Sequence, residues 1–519
     1  MRIHDYLDLF AREHPEGEFL VFRGRSLNYA AACAQANRIA NSLIAAGVAP
    51  GDRVAILSKN CAELILFYYG AFKAGAVPVP LNYRLAPREW AYIINDAGAK
   101  LLVAKDDLVA AIATVRGELG SVRQAIAIGA PPPSGWQAWA DWLGAQSDER
   151  PERSQDDAAD AYQMYTSGTT GLPKGAVLKH RAVASNVEQL RMYVRLAPDE
   201  RYLIVAPLYH AGAALSSFCA ISWGAALYIQ EDFVPHDVVE ALSTQRIAAA
   251  MLVPAMIQAC LVMVPDVAAR RYDHLRMIVY GASPIAEETV RRALDVFQCD
   301  FMQGYGMTET TAALTFLTAE DHRRALRERP QLLLSAGRPL LGTDVRVVDE
   351  RDQPVACGVI GEIVGRGPQL MSGYWNLPDA TAEALRGGWM HTGDAGRMDA
   401  DGYLFIEDRV KDMIVSGGEN VYPREVENAL FDHPAVADVA VIGVPDERWG
   451  EAVKAIVVAH AGASVTPEEL LAYCKTRLGG FKCPRSVDFV SALPRNPSGK
   501  VIKRELREPY WKGHKRRVG

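Results

Sequence analysis

The segment Tyr165–Gly175, YTSGTTGLPKG, gathers three glycines, four Ser/Thr hydroxyls and one lysine in eleven residues. Such a run can turn successive backbone N–H groups and hydroxyls toward phosphate oxygens, and glycine lets the backbone come close to them. Lys174 adds a cation. The spacing does not match G-x-x-x-x-G-K-[ST], so this is not a Walker-type loop. On composition alone a flexible polar linker is the competing reading.

Four further motifs follow in order: QGYGMTE (303–309), WMHTGD (389–394), DRVKDMIVSGGENVYPREVE (408–427) and NPSGK (496–500). With the first loop, they make the chain resemble the adenylate-forming enzymes over essentially its whole length. That family includes acyl-CoA synthetases, aryl-CoA ligases, beetle luciferases and peptide-synthetase adenylation domains. The resemblance implies ATP, Mg2+ and CoA as reactants or cofactors. A carboxylate attacks the α-phosphate of ATP to give acyl-AMP and pyrophosphate, then a thiol attacks the acyl carbon and releases AMP. Such chemistry needs charge neutralisation and alignment more than covalent help.

Residue roles follow from the resemblance. Thr166, Ser167, Gly168, Thr169, Thr170, Gly171 and Lys174 are expected to hold the phosphates. Glu309 is the expected magnesium ligand, since magnesium takes one or two carboxylates alongside phosphate oxygens. Thr308 would offer a hydroxyl to the α-phosphate, and Tyr305 a ring face to adenine. Gly281, Ala282, Ser283, Gln303, Gly304 and Gly306 would complete the nucleotide site. Asp394 would accept from the ribose hydroxyls, and Arg409 would reach ribose or phosphate. Lys500, on a Pro/Ser/Gly turn, would bring a mobile cation to the α-phosphate and the carboxylate. Lys500, Thr308 and Glu309 form the expected catalytic set. Read without the family, Asp394 would be a turn residue, Arg409 a surface ion pair, and Lys500 a solvated lysine beside Lys503, Arg504 and Arg507.

Lys411 occupies the family's hinge, about which a small domain rotates between the two half-reactions. Ser416, Gly417, Gly418 and Glu419 would then line the thiol path. Trp449, Phe481 and Arg485 would hold the CoA nucleotide, although Cys483 stands where related CoA ligases often carry a basic residue. The expected acyl pocket is formed by His210, Ala211, Gly212 and Ala213 with Gly281, Gly304 and Ala312. No Asp, Glu, Lys or Arg occurs from Leu203 to Gln230. An amino acid's ammonium or a second carboxylate would have no counter-charge there. A roomy apolar pocket for a medium or long fatty chain or an aryl acid is expected.

The elements that must position these residues can be read from periodicity. Short apolar runs at 53–58, 77–81, 101–105, 125–129, 202–207, 227–230 and 276–281 alternate with helical stretches such as Tyr29–Ala46 and Glu287–Phe297. Alternation of this kind indicates α/β architecture with mostly parallel sheets. A polar stretch at 131–160 reads as a surface connection. After Leu332, strands spaced by Gly-rich turns predict a β-rich part, and a shorter α/β pattern follows from Lys411. The expected division is a large N-terminal domain, 1–409, of parallel sheets flanked by helices plus the β-rich part. A small mobile C-terminal α/β domain, 410–519, would follow.

Composition narrows the class. The chain has 519 residues, 49% hydrophobic and 23% charged, with net charge −6. It lacks the basic excess usual in nucleic-acid binders. The eight cysteines are scattered with no CxxC, which argues against zinc or a disulfide framework. The N-terminus carries charges within its apolar stretch, unlike a signal peptide, so a cytoplasmic location is expected. Two uncharged stretches, 203–230 and 248–265, mimic membrane spans but are interrupted by Pro207 and Pro254. The basic tail KGHKRRVG is expected to be solvated, with a weak peripheral membrane contact as the minor alternative. A homodimer is left open. Two other readings stay open: a stand-alone enzyme loading a separate carrier protein, and a non-catalytic acyl-adenylate binder.

Overall fold

Strand Ile247–Leu252 is buried at every position, as expected for a strand covered on both faces by helices. It sits near the middle of a nine-stranded sheet in a computed structural model of the chain. The structure describes residues 1–144, 146–153, 156–166, 172–283, 285–409, 412–416, 419–446, 449–478, 480, 482–495 and 501–512, without the side chains of 408, 409, 419 and 420.

The architecture is α/β. In the nine-stranded sheet, the parallel strands run Asp300–Tyr305, Met277–Gly281, Ile247–Leu252, Arg201–Ile204, Ala226–Ile229 and Glu18–Phe22. Antiparallel strands flank them at both edges. A second, all-parallel sheet contains Val77–Leu81, Arg53–Leu57, Leu101–Lys105 and Gln124–Ile128. Helix Glu287–Phe297 shows why the helices pack as they do. Val290, Ala293 and Phe297 bury one stripe, while Glu287 and Glu288 sit in the first turn, where the helix dipole favours them.

Both apparent membrane stretches resolve into sheet units. Residues 203–230 include the end of one strand, helix Ala211–Ile221 and strand Ala226–Ile229. Residues 248–265 hold most of strand Ile247–Leu252 and helix Pro254–Met263, with Pro254 at its first turn, where a missing N–H costs nothing. Among the described residues no helix is long and apolar enough to cross a membrane.

The polar stretch 131–160 is more than a surface connection. It contains strand Gln137–Ala138 and helix Trp139–Leu143, and buries Trp142. Asn37 and Asn41 donate to carbonyls at 147–149 and fasten the stretch to helix Tyr29–Ala45. Beyond it lies a hairpin that periodicity did not reveal. Strand Asp160–Thr166 pairs antiparallel with Lys174–Lys179, and Thr166 stands opposite Lys174. A short strand, Gly373–Tyr374, joins its open edge.

The β-rich part is an antiparallel sheet of Asp344–Val348, Gly361–Arg366, Met390–Met398 and Leu404–Arg409. The C-terminal part has its own sheet, led by the long pair Val436–Asp446 and Gly450–Ala459, and its own apolar core. Cys474 and Cys483 are both buried in that core.

One contact in the main sheet sets tight limits on sequence. Gly281 pairs with Gly304 on the neighbouring parallel strand, and a Cβ at Gly281 would lie 2.3 Å from the Gly304 carbonyl oxygen. At Gly304 the nearest atom is 3.1 Å away, on the movable Phe316 ring. Gly281→Ala must therefore push two strands apart, and overpacking of this kind costs about 1–3 kcal/mol or more. Gly304→Ala needs only a ring shift. We expect a clearly larger drop in urea midpoint for Gly281→Ala than for Gly304→Ala; equal midpoints would contradict this geometry.

Candidate active site

Strands Met277–Gly281 and Asp300–Tyr305 end side by side, and the chain continues from them into Ala282-Ser283 and Gly306-Met307-Thr308-Glu309. Ligands of open α/β sheets gather at such carboxyl ends. The backbone there is unusual: Ala282 has φ +68° and Thr311 φ +66°, a region that L side chains rarely adopt. Gln303, 8% exposed, holds its Oε1 buried without a hydrogen-bond partner among the described residues. An acceptor in that state is suited to a donor on a ligand.

Glu309 lies in the short turn Thr308–Thr310 and is only 4% exposed. Its Oε1 accepts from the Tyr374 hydroxyl at 2.7 Å and from Thr166 Oγ1 at 3.4 Å, the second contact long. The turn is fixed by Thr310, whose hydroxyl accepts from Met307 N, and by Thr311, whose hydroxyl donates to the Gln369 carbonyl at 2.6 Å. Lys174, across the hairpin from Thr166, places its ammonium 5.2 Å from the Tyr374 ring centroid. Thr166, Lys174, Thr308 and Glu309 therefore meet at one place. Ser167, Gly168, Thr169, Thr170 and Gly171 lie outside the described residues.

Among the described residues, no group of three or more His, Cys, Asp or Glu could hold a metal. A lone buried carboxylate beside a phosphate-type loop fits magnesium nonetheless, because that ion takes most of its ligands from phosphate and water.

Asp394 and Arg409 are opposed in backbone register on strands Met390–Met398 and Leu404–Arg409. The Tyr305 hydroxyl donates to Asp394 Oδ2 at 2.9 Å, which ties the main sheet to the β-rich sheet. The neighbouring motif residues serve as anchors. Glu362 bonds His391 Nδ1 at 2.9 Å and accepts from Gly393 N at 3.0 Å, while the Thr392 hydroxyl donates to the Ile363 carbonyl at 2.7 Å.

His210 precedes helix Ala211–Ile221. Its Nε2 is buried without a partner among the described residues, and burial pushes its pKa down to about 4, with the Arg84 charge adding to the effect. It is a neutral imidazole at physiological pH. Tyr209 packs on it, ring centroids 4.4 Å apart, and Tyr83 packs edge-on against Tyr209. A Cβ at Gly212 would lie 3.1 Å from Met251 Cε. Ala211 and Ala213 are buried and Ala312 is half-buried.

In the C-terminal part, Ser416 pairs with Gly450, next to Trp449, and the Arg485 guanidinium lies 5.2 Å from the Trp449 ring centroid. Cys483 is 2% exposed, with its Sγ toward the Leu478 carbonyl at 3.7 Å. Its small apolar character is explained by this core position. Glu419 lies in strand Glu419–Val421 opposite Ser416. Lys411, Gly417, Gly418, Phe481 and Lys500 lie outside the described residues.

Motif reading did not single out Tyr374, Glu362 or Met251. Tyr374 could have been suspected only from its place in GYW, directly before an Asn-x-Pro turn. Met251 lies within a uniformly apolar strand, where nothing marks it.

Comparison with known proteins agrees with this geometry. The family model "AMP-binding enzyme" matches residues 7–375, and "AMP-binding enzyme C-terminal domain" matches 425–500. A fatty acid–[acyl-carrier-protein] ligase, ScoC, of Streptomyces coeruleorubidus is 38% identical over 98% of this chain and 96% of its own length. A feruloyl-CoA synthase of Amycolatopsis sp is 40% identical over 96% and 97%. The crystal structure of ATP-bound MatB from Rhodopseudomonas palustris superposes with TM-score 0.90 at 32% identity, covering 99% of this chain and 100% of that one. With a phosphate-type hairpin, a buried glutamate and a tyrosine-held aspartate gathered at the sheet ends, and with matches over nearly its full length, the chain belongs to the AMP-binding enzyme family.

Proposed function

We propose that this AMP-forming acid–thiol ligase activates an apolar carboxylic acid, a medium- or long-chain fatty acid or an aryl acid, and transfers it to CoA. The observation that carries the reading is the contrast between the two sides of the site. One side holds a buried carboxylate bonded by Thr166, at one end of the hairpin loop, and by Tyr374. The other holds a neutral His210, Tyr209, Gly212 and Met251, and the segment 203–230 bears no formal charge. A second reading, transfer to a carrier protein, is favoured by the likeness to ScoC. AMP release that depends on CoA alone separates the two.

In the first half-reaction, a carboxylate oxygen bonds to the α-phosphorus as the bond to the β-phosphate oxygen breaks. Magnesium, when bound, would neutralise phosphate charge, and Glu309 would hold it. Thr166, Lys174 and Thr308 bind and orient the phosphates, and Asp394, held by Tyr305, orients the ribose. Lys500 supplies the cation that offsets charge at the α-phosphate. In the second half-reaction, the thiol sulfur bonds to the acyl carbon and AMP leaves. Residues 1–409 and 410–519 act as two units about Lys411, with Ser416, Trp449 and Arg485 on the CoA side. A screen of carboxylic acids with ATP, magnesium and CoA tests the reading directly, and no thioester from any apolar acid would overturn it.

The half-reactions should respond differently to substitution. Lys500→Ala should lower acyl-AMP formation by about 10²–10³, as loss of a preorganised electrostatic contact commonly does. Thioester formation from supplied acyl-AMP should be nearly unchanged. Lys411→Pro fixes φ at the hinge and should impair the second step more. Separate rate measurements decide this, and equal losses in both steps for both variants would argue against a division of labour. Met251→Ala should shift relative kcat/KM toward bulkier or longer acids by about tenfold, the effect of one or two methylenes in an apolar pocket. Kinetics across a series of chain lengths checks it; a uniform loss would show that Met251 does not face the acyl group.

A further inference from the structure

The segment 371–375 touches both halves of the phosphate side of the site. Met371 N donates to the Glu309 carbonyl at 2.8 Å. Ser372 N donates to Val177 O at 2.9 Å and Trp375 N to Gly175 O at 2.8 Å, both on the hairpin. Tyr374 pairs with Ala176 between them. The segment is itself held: Tyr374 N donates to Thr381 Oγ1 at 2.9 Å and Trp375 Nε1 to Asp96 O at 3.1 Å, while the Arg53 guanidinium lies 3.5 Å from the Trp375 ring centroid. From this fixed backbone, the Tyr374 hydroxyl reaches Glu309 Oε1 at 2.7 Å and its ring stands 5.2 Å from the Lys174 ammonium.

We propose that Tyr374 is a positioning residue that fixes the rotamer of Glu309 so that Oε2 is presented to magnesium, and that its ring steadies Lys174 at the end of the phosphate loop. The inference rests on the reading of Glu309 as the magnesium-facing carboxylate. A glutamate has three soft side-chain torsions, and a single short bond at Oε1 removes most of that freedom. Both of the hydrogen bonds to the Glu309 carboxylate among the described residues land on Oε1. Tyr374 is the donor in this bond, because a carboxylate only accepts. Its ring meets a cation at cation–π distance, so one side chain serves a carboxylate and an ammonium through different parts of its structure.

The test uses the full-length protein and titration calorimetry with ATP, once with magnesium and once with EDTA. Tyr374→Phe keeps the ring and removes the donor. We expect ATP affinity with magnesium, and the magnesium concentration for half-maximal binding, to worsen by about tenfold, a size suited to one hydrogen bond to a charged group. Affinity in EDTA should stay within twofold, and melting should stay cooperative at a midpoint lowered by the loss of one bond to a buried carboxylate. Tyr374→Leu should add a loss in EDTA as well, because the cation-facing ring is gone. A magnesium dependence in Tyr374→Phe within twofold of the parent overturns the proposal. Loss of cooperative melting in that variant overturns it too, since the hydroxyl would then be structural. Glu309→Gln separates the two levels of inference. If it abolishes the magnesium effect while Tyr374→Phe does not, only the positioning role fails. If it leaves the magnesium effect intact, the reading of Glu309 itself fails.

Discussion

A carboxylate taken out of water must find hydrogen-bond partners, and Glu309 at 4% exposure is the site's clearest case. In and beside its own turn, the Thr310 hydroxyl donates to the Met307 carbonyl and the Thr311 hydroxyl to the Gln369 carbonyl, not to Glu309. The donors come from two other places: Thr166 at the start of the phosphate-type loop, and Tyr374 on a short strand from far along the chain. Because both donors belong to one small antiparallel sheet, satisfying Glu309 also fixes where that sheet sits relative to the ends of the main parallel strands. The loop is therefore anchored at Thr166 and Lys174, whose opposed positions set its span.

A second tie runs through Tyr305, the last residue of its parallel strand. Most of its side chain is buried in a cluster with Leu314, Val345 and Ile363. The hydroxyl, left at the edge, meets Asp394. An aromatic with an apolar body and a polar tip can do both. The same strand thus delivers Tyr305 toward the β-rich sheet and, a few residues on, Glu309 toward the hairpin. Any ligand that touches both Asp394 and Glu309 is measured against the geometry of one strand end.

Much of the fold could be read from the sequence, because parallel strands buried on both faces are written as plain apolar runs. Helix Glu287–Phe297 has the predicted limits, and Tyr29–Ala45 differs from its predicted span by one residue. The hairpin Asp160–Thr166 with Lys174–Lys179 escaped because its pattern is broken by a buried polar residue. Gln163 is 0% exposed yet bonds Arg53 and Tyr165, so neither apolar continuity nor alternation marks the strand. In the site, motifs named residues that would touch a ligand. They were silent on residues that hold those residues, since a tyrosine beside a glutamate is visible only after folding. Cys483 shows the converse. Compared by position with related ligases it looked like a departure from a binding pattern, whereas in the fold it is a core residue packed near Cys474.

The charge partition within the site follows from the same sheet. At the ends of the parallel strands, the nucleotide side can bury a charge because backbone strands and hydroxyls converge on it. On the proposed acyl side, helix Ala211–Ile221 consumes most of its N–H and C=O groups internally, so it has few donors to offer a charge. There His210 is driven neutral by burial. A carboxylate entering this site therefore meets hydrogen-bonding groups at one end and apolar wall at the other. In the proposed function, that asymmetry would orient an apolar acid with its carboxylate toward the phosphates and its chain toward Met251. Gly281 and Gly304 pair on neighbouring strands, which come too close to admit a side chain from Gly281. The spacing of these two strand ends is thus set by main chain.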